Sequence, residues 1–377
     1  MRVYLDNGAT TRTAPEVLEA MKPFFLEEYG NPSSIHTFGQ VAREAVENAR
    51  SVISKSINAD PKEIVFTSGG TESDNIAIQG VARALPGKHI ITSSIEHPAV
   101  LETCKALEHK GYKVTYLKVN RFGLMDLGEL ENAITKDTIL VTIVFANNEI
   151  GTIQQIREIG VICHKHNVYF HTDAVQALGK VPIDVKSMNI DLLSASAHKL
   201  HGPKGVGLLY VRKEVKLEPI VYGGGHERGI RSGTINTAGI VGFARAVELS
   251  EQPNNMVKLR DKLITELIKI PETFLNGHPT QRLPNNVNVS FKHIEGEGIL
   301  LHLDARGIAV STGSACSSLT LQPSHVLLAI GLRPEDAHGS IRITLSRYTT
   351  EEEIDYFLDS IAPIVKRLRE MSPFKGE

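Results

Sequence analysis

Short apolar runs recur along roughly the first two-thirds of this chain, and segments with helical spacing lie between them. Runs at 64–68 (IVFTS), 89–93, 113–119, 138–145 (TILVTIVF), 168–172 (VYFHT), 191–196 and 206–211 read as strands. Most are apolar on both faces, so each face needs a cover. Ile76, Ala77, Gly80, Val81 and Ala84 fall at helical spacing, as do the segments 98–109, opening at Pro98, and 156–166. The alternation predicts an α/β fold, with a mainly parallel seven-stranded sheet between layers of helices.

The pattern changes after Thr234. Helical segments at 238–249 and 257–269 lead into strands at 287–291, 308–311 and 341–345, then a last helix at 351–370. This reads as a smaller α+β domain. We expect a large domain at 14–235, and a small one made of 1–13 with 236–377. The stretch 222–234 (YGGGHERGIRSGT) is rich in Gly and Arg and poor in apolar residues, so it reads as a loop.

Charge and cysteine usage narrow the function classes. Forty-one Lys and Arg stand against 43 Asp and Glu, a formal net charge of −2 that gives no reason to propose nucleic acid or an acidic membrane as partner. No apolar run reaches the roughly 18–20 residues that span a bilayer. Residues 1–13 lack the apolar stretch of a secretory leader. A cytoplasmic protein is expected. The three cysteines, Cys104, Cys163 and Cys316, lack metal-ligand spacing. Cys104 and Cys163 sit in helical segments and read as core residues. Cys316 sits among small and polar residues in STGSACSS, where a thiol is accessible.

Four further segments carry chemistry. Lys199 follows Ser196, Ala197 and His198 at a strand end and precedes a Gly/Pro turn, where an amine of lowered pKa can form a Schiff base. Taken alone it reads as one of many surface lysines, and the motifs that accompany it change that reading. Thr67-Ser68-Gly69-Gly70-Thr71 joins a strand to a helix, and free backbone N–H groups there can hold a phosphate. Asp173 leaves the VYFHT strand at the sheet edge where open α/β folds bind ligands. His97 stands at a helix start.

In order along the chain stand YLDNGATT from Tyr4, NPSSIH from Asn31, FTSGGTESDN from Phe66, EHPAV from Glu96, NNEIGTIQ from Asn147, HTDAVQ from His171, SAHKLHGPKG from Ser196, GGGHERGIRSGT from Gly223 and STGSACSS from Ser311. This series resembles the fold-type I enzymes that use pyridoxal 5′-phosphate (PLP), class-V aminotransferases in particular, and among them the cysteine desulfurases that include bacterial NifS and IscS. The resemblance covers nearly the whole chain.

It implies that the protein converts L-cysteine to L-alanine and leaves the sulfur as a persulfide on Cys316. Lys199 would bind the cofactor covalently, Asp173 would pair with its ring nitrogen, and His97 would stack on the ring and move protons. Gln176 would reach the phenolic oxygen. Gly70, Thr71, Ser196, Ala197 and His198 would surround the phosphate, with Thr234 reaching the site of the other subunit of a homodimer. Asn148 and Arg342 would bind the substrate carboxylate. The implied sulfur acceptor is an iron–sulfur scaffold of the IscU type, with Cys316 able to share a [2Fe–2S] cluster with it. Selenocysteine cleavage or another PLP lyase or aminotransferase reaction is the alternative on the same fold. A non-catalytic scaffold-binding protein is the alternative of a different class.

Overall fold

In the computed structural model, residues 1–252, 254–312 and 323–372 are described. Cys316 lies outside them.

Seven strands form the central sheet in the order Ile64–Thr67, Gly207–Val211, Leu192–Ser196, Tyr169–Asp173, Thr138–Thr142, His89–Ser93, Lys113–Leu117. Side chains alternate across a strand, and here the alternation builds two cores. Phe66, Ile91, Val141, Leu193 and Leu208 face one apolar cluster. Their neighbours Val65, Ile90, Leu140, Leu192 and Leu209 face another. Helices cover both faces, which is why the runs read as apolar throughout.

One strand breaks the parallel pattern: Gly207–Val211 runs antiparallel to both of its neighbours. A parallel return needs a crossover of about a dozen residues or more. The short Gly/Pro turn after Ser196 instead brings the chain straight back.

A third apolar core gathers Val3 and Leu5 with Val287, Val289, Phe291, Ile341, Ile343, Phe357 and Ile361. It covers an antiparallel sheet of Ser340–Thr344, Asn286–Phe291 and Thr273–Leu275. Val3–Tyr4 pairs in parallel with Ile308–Ala309. The helix Thr237–Ser250 packs into the large core through Ala238, Ile240, Phe243 and Val247. A twenty-residue helix, Thr37–Ser56, was not marked from the sequence, although Ala42, Val46, Ala49 and Ile53 give it one buried face. Among the described residues no helix is long and apolar enough to cross a membrane.

Topology places the chemistry. Asp173 and Ser196 end adjacent parallel strands, and the Gly69–Gly70 turn follows the end of Ile64–Thr67. His97 and Asn148 lie shortly after two further strands. All leave the carboxyl edge of the sheet, where open α/β folds bind ligands.

Candidate active site

A cavity of about 290 Å³ opens at that edge. Its lining includes Gly70, Thr71, His97, Asn148, Asp173, Gln176, Ser196, His198, Lys199 and Arg342. These come from motifs spread over more than 270 residues. Gly70, Thr71, Ser196 and His198 also line an adjoining, more open cleft. A larger cleft of about 1170 Å³ runs past Tyr4, Arg12, Lys204 and Tyr348. Volume therefore does not single out the site; convergent polar groups do.

Lys199 sits in a short 3₁₀ turn, Ala197–Lys199, directly after its strand. Its Nζ donates to the carbonyls of Gly8 at 2.6 Å and Ala9 at 2.7 Å. Gln176 Nε2 donates to the same Gly8 carbonyl at 3.0 Å. Asp173 Oδ1 accepts the Val175 amide at 2.9 Å. Burial raises the proton affinity of the Asp173 carboxyl, while His97, the Val175 amide and Lys199 oppose the rise.

His97 caps the helix Pro98–Glu108, its Nδ1 accepting the Ala99 amide at 3.1 Å. That bond keeps Nδ1 unprotonated, so neutral His97 carries its proton on Nε2. Burial favours the neutral ring, with Lys199 and His325 adding to the effect and Asp173 opposing it. Burial and the cations Lys199, Lys204 and Lys180 push His198 down to about 4. Its Nδ1 lies 3.1 Å from Thr10 Oγ1.

The glycines are sterically required. Gly69 caps the helix Gly70–Ala84 at φ 156°, in the range that favours glycine. A Cβ on Gly70 would lie 2.5 Å from Val175 Cγ2, and one on Gly207 would meet the Gly69 Cα at 2.6 Å. Backbone amides at this helix start remain close to the cavity, as a bound phosphate requires. With an amine, a buried carboxylate, a histidine ring and a bare helix N-terminus around one small cavity, the residues present fit PLP.

Arg342, on Ser340–Thr344, supplies a nearly buried guanidinium. Its Nη1 donates to the Asn148 carbonyl at 3.2 Å and its Nη2 to Asp6 Oδ1 at 3.0 Å. Ala197 is fully buried behind the wall, and Thr234 is exposed and lines neither the cavity nor the adjoining cleft. Cys104 and Cys163 are buried in helices, and burial pushes the Cys104 thiol up to about 12.

The cavity also holds residues given no role from the sequence: Gly8, Ala9, Asp74, Val144, Ala146 and Val175. Gly8 and Ala9 act through main-chain carbonyls, which leave no residue-type signal. Asp74 reads as an ordinary helix acid, yet it is buried, 3.6 Å from His171 Nε2. Burial and Asp173 both favour its protonated form.

The aminotransferase class-V family profile matches residues 3–357. A protein from Methanosarcina thermophila named cysteine desulfurase IscS is 56% identical over 98% of this chain and 94% of its own. A solved NifS-like protein superimposes with a TM-score of 0.91 at 44% identity, over 98% of this chain and all of its own. A structure of SspA in complex with cysteine gives 0.84 at 41% identity, over 92% of this chain and all of its own. This chain therefore belongs to the aminotransferase class-V family, among its PLP-dependent cysteine desulfurases.

Proposed function

We propose that this enzyme removes sulfur from L-cysteine in the cavity above, with Lys199 as the cofactor-binding amine and Cys316 as the sulfur acceptor. The observation that carries this reading is the convergence of Lys199, Asp173, His97, Asn148 and Arg342 on one cavity.

PLP, when bound, supplies a carbon that links to amines and a ring that draws electrons from the substrate α-carbon. Lys199 holds it covalently, and Gly70, Thr71, Ser196 and His198 hold its phosphate. Asp173, kept from water, carries the charge that a protonated ring nitrogen needs. Arg342 and Asn148 orient the substrate carboxylate. Lys199, once displaced by substrate, takes the α-proton. His97 can return a proton only from Nε2, because the Ala99 amide occupies Nδ1. The Cys316 thiolate attacks the substrate sulfur. A sulfur–sulfur bond forms as the Cβ–S bond breaks; Cβ takes one proton to become the methyl group of alanine, and the α-carbon regains the proton it lost. Alanine and a one-sulfur mass gain on the protein, measured after adding L-cysteine to the purified enzyme, test this. Pyruvate in place of alanine would overturn it.

Assembly and destination belong to the same proposal. Phe25, Leu26, Tyr29, Ile35 and Phe38 are exposed close together in sequence, Leu26 at 82% and Ile35 at 87%. Such a patch is expected at an interface, and it supports a homodimer in which Thr234 reaches the other cofactor. An active monomer by sedimentation would overturn that. The sulfur would pass in the cytoplasm to an IscU-type scaffold, with Cys316 sharing a [2Fe–2S] cluster there. We also propose the two-domain division at 14–235 and 1–13 with 236–377, with the helix Thr237–Ser250 reaching back onto the large core.

A further inference from the structure

The YLDNGATT motif has no role in the mechanism above, yet it touches two of its residues. Gly8 and Ala9 receive the Lys199 amine, and Asp6 meets Arg342. We propose that Asp6 is a positioning residue for substrate recognition: it fixes the Arg342 guanidinium in the orientation that receives the α-carboxylate of L-cysteine. The inference rests on the reading of Arg342 given above.

Arg342 offers five N–H donors in a rigid plane. One bond to the Asn148 carbonyl and one to Asp6 Oδ1 pin two corners of that plane. Nε is buried without a hydrogen-bond partner among the described residues. Donors therefore remain for an incoming carboxylate, in a plane that is already set. A side chain held by the Asn148 carbonyl alone could still rotate about that single bond.

The alternative is that Asp6 competes with the substrate and must withdraw. The backbone argues against withdrawal. Asp6 forms a parallel bridge with Thr344, two residues from Arg342 and on the same face of the strand. Either side of Asp6, Thr344 N donates to the Leu5 carbonyl at 2.7 Å, and Asn7 Nδ2 donates to the Thr344 carbonyl at 2.8 Å. Gly8 N donates to Thr344 Oγ1 at 2.7 Å. An acid stitched in place this way orients its partner and does not vacate it.

The test compares two ligands on the PLP-loaded enzyme: L-alanine, and ethylamine, which lacks the carboxylate. Dissociation constants come from absorbance titration. Asp6→Ala should weaken L-alanine about tenfold, the scale of one charge-assisted hydrogen bond, and leave ethylamine within about twofold. Asp6→Asn, which keeps an acceptor, should fall between Asp6→Ala and wild type. KM for L-cysteine should rise with L-alanine weakening, while kcat largely holds. Unchanged or tighter L-alanine binding in Asp6→Ala overturns the inference, and so does equal weakening of both ligands. Arg342→Lys separates the two readings. If it abolishes the preference for L-alanine while both Asp6 variants keep it, the inference alone fails. If it leaves the preference intact, the reading of Arg342 fails and takes the inference with it.

Discussion

Arg50 and Glu227 form a two-point ion pair inside the protein, Nη1 to Oε2 at 2.9 Å and Nη2 to Oε1 at 2.8 Å. Only 6% and 4% of the two side chains is exposed. Glu227 Oε2 also accepts the Phe66 amide at 2.7 Å, and Arg50 Nη1 donates to the Ile64 carbonyl. The pair thus ties the Gly/Arg-rich loop to the strand that leads into the Gly69–Gly70 turn. Glu227 and Arg228 both hold positive φ, 47° and 57°, a strained pair that the ion pair keeps in place. Arg50→Leu leaves a buried carboxylate unpaired and should destabilise by about 3–5 kcal/mol. Denaturant unfolding of Arg50→Leu and of Arg50→Leu/Glu227→Leu checks this, and the double variant should recover part of the loss. A single variant as stable as wild type would contradict it.

Lys199→Ala should abolish turnover and the visible absorbance of the covalently held cofactor. Two hydrogen bonds to Gly8 and Ala9 disappear with it, so a stability loss of about 1–3 kcal/mol is expected, with the fold retained. Normal alanine production by this variant would rule out Lys199 as the cofactor lysine.

Cys316→Ala should keep the cofactor spectrum and its response to added L-cysteine, because neither needs the thiol. Alanine formation should fall roughly 100-fold or more, since water is a poor nucleophile toward sulfur. Brief incubation of the wild-type enzyme with labelled cysteine should place label on Cys316 and not on the buried Cys104 or Cys163. Alanine at the wild-type rate would favour a PLP reaction that uses no protein thiol.

Glu96 gives a pH signature. Its Oε1 accepts from Ser93 Oγ at 2.5 Å and from the Val144 amide at 3.0 Å, while Oε2 is buried without a hydrogen-bond partner among the described residues. Burial pushes the carboxyl from 4.5 up to about 8. The folded state therefore keeps a proton that the unfolded chain has released. The stabilisation is complete below about pH 4.5 and is lost as pH rises through about 8. Glu96→Gln keeps an acceptor at Oε1 and cannot ionise. Relative to wild type it should gain about 3–4 kcal/mol between pH 5 and pH 8, read from denaturant midpoints of the PLP-loaded protein. Glu149, pushed up to about 7 chiefly by burial, contributes equally to both proteins and cancels. Parallel pH profiles would refute the assignment.

The sheet was legible because its strands are buried on both faces, so the sequence carries uninterrupted apolar runs where Phe66 and Val65, or Leu193 and Leu192, face opposite cores. The reversed strand Gly207–Val211 was not, because direction depends on the length and shape of the connection after Ser196 and not on apolar pattern. Ten residues singled out from the motifs line one cavity: nine have side chains whose type signals their chemistry, and Gly70 was marked by the Gly-Gly turn between strand and helix. Gly8 and Ala9 escaped notice because a carbonyl oxygen belongs to every residue. Asp6 escaped because its partner, Arg342, is 336 residues away and nothing local connects them.

That separation orders events during synthesis. Gly8 leaves the ribosome 336 residues ahead of its partner Thr344. A chain arrested after residue 312 contains every strand of the central sheet, Lys199 included, yet lacks Arg342 and Cys316. With the roles proposed above, such a fragment would lack the arginine that holds the substrate carboxylate and the thiol that receives sulfur, since the two cysteines it keeps, Cys104 and Cys163, are core residues of the folded protein. On this reading desulfuration would wait until the strand Ser340–Thr344 has joined the segment from Leu5 to Gly8.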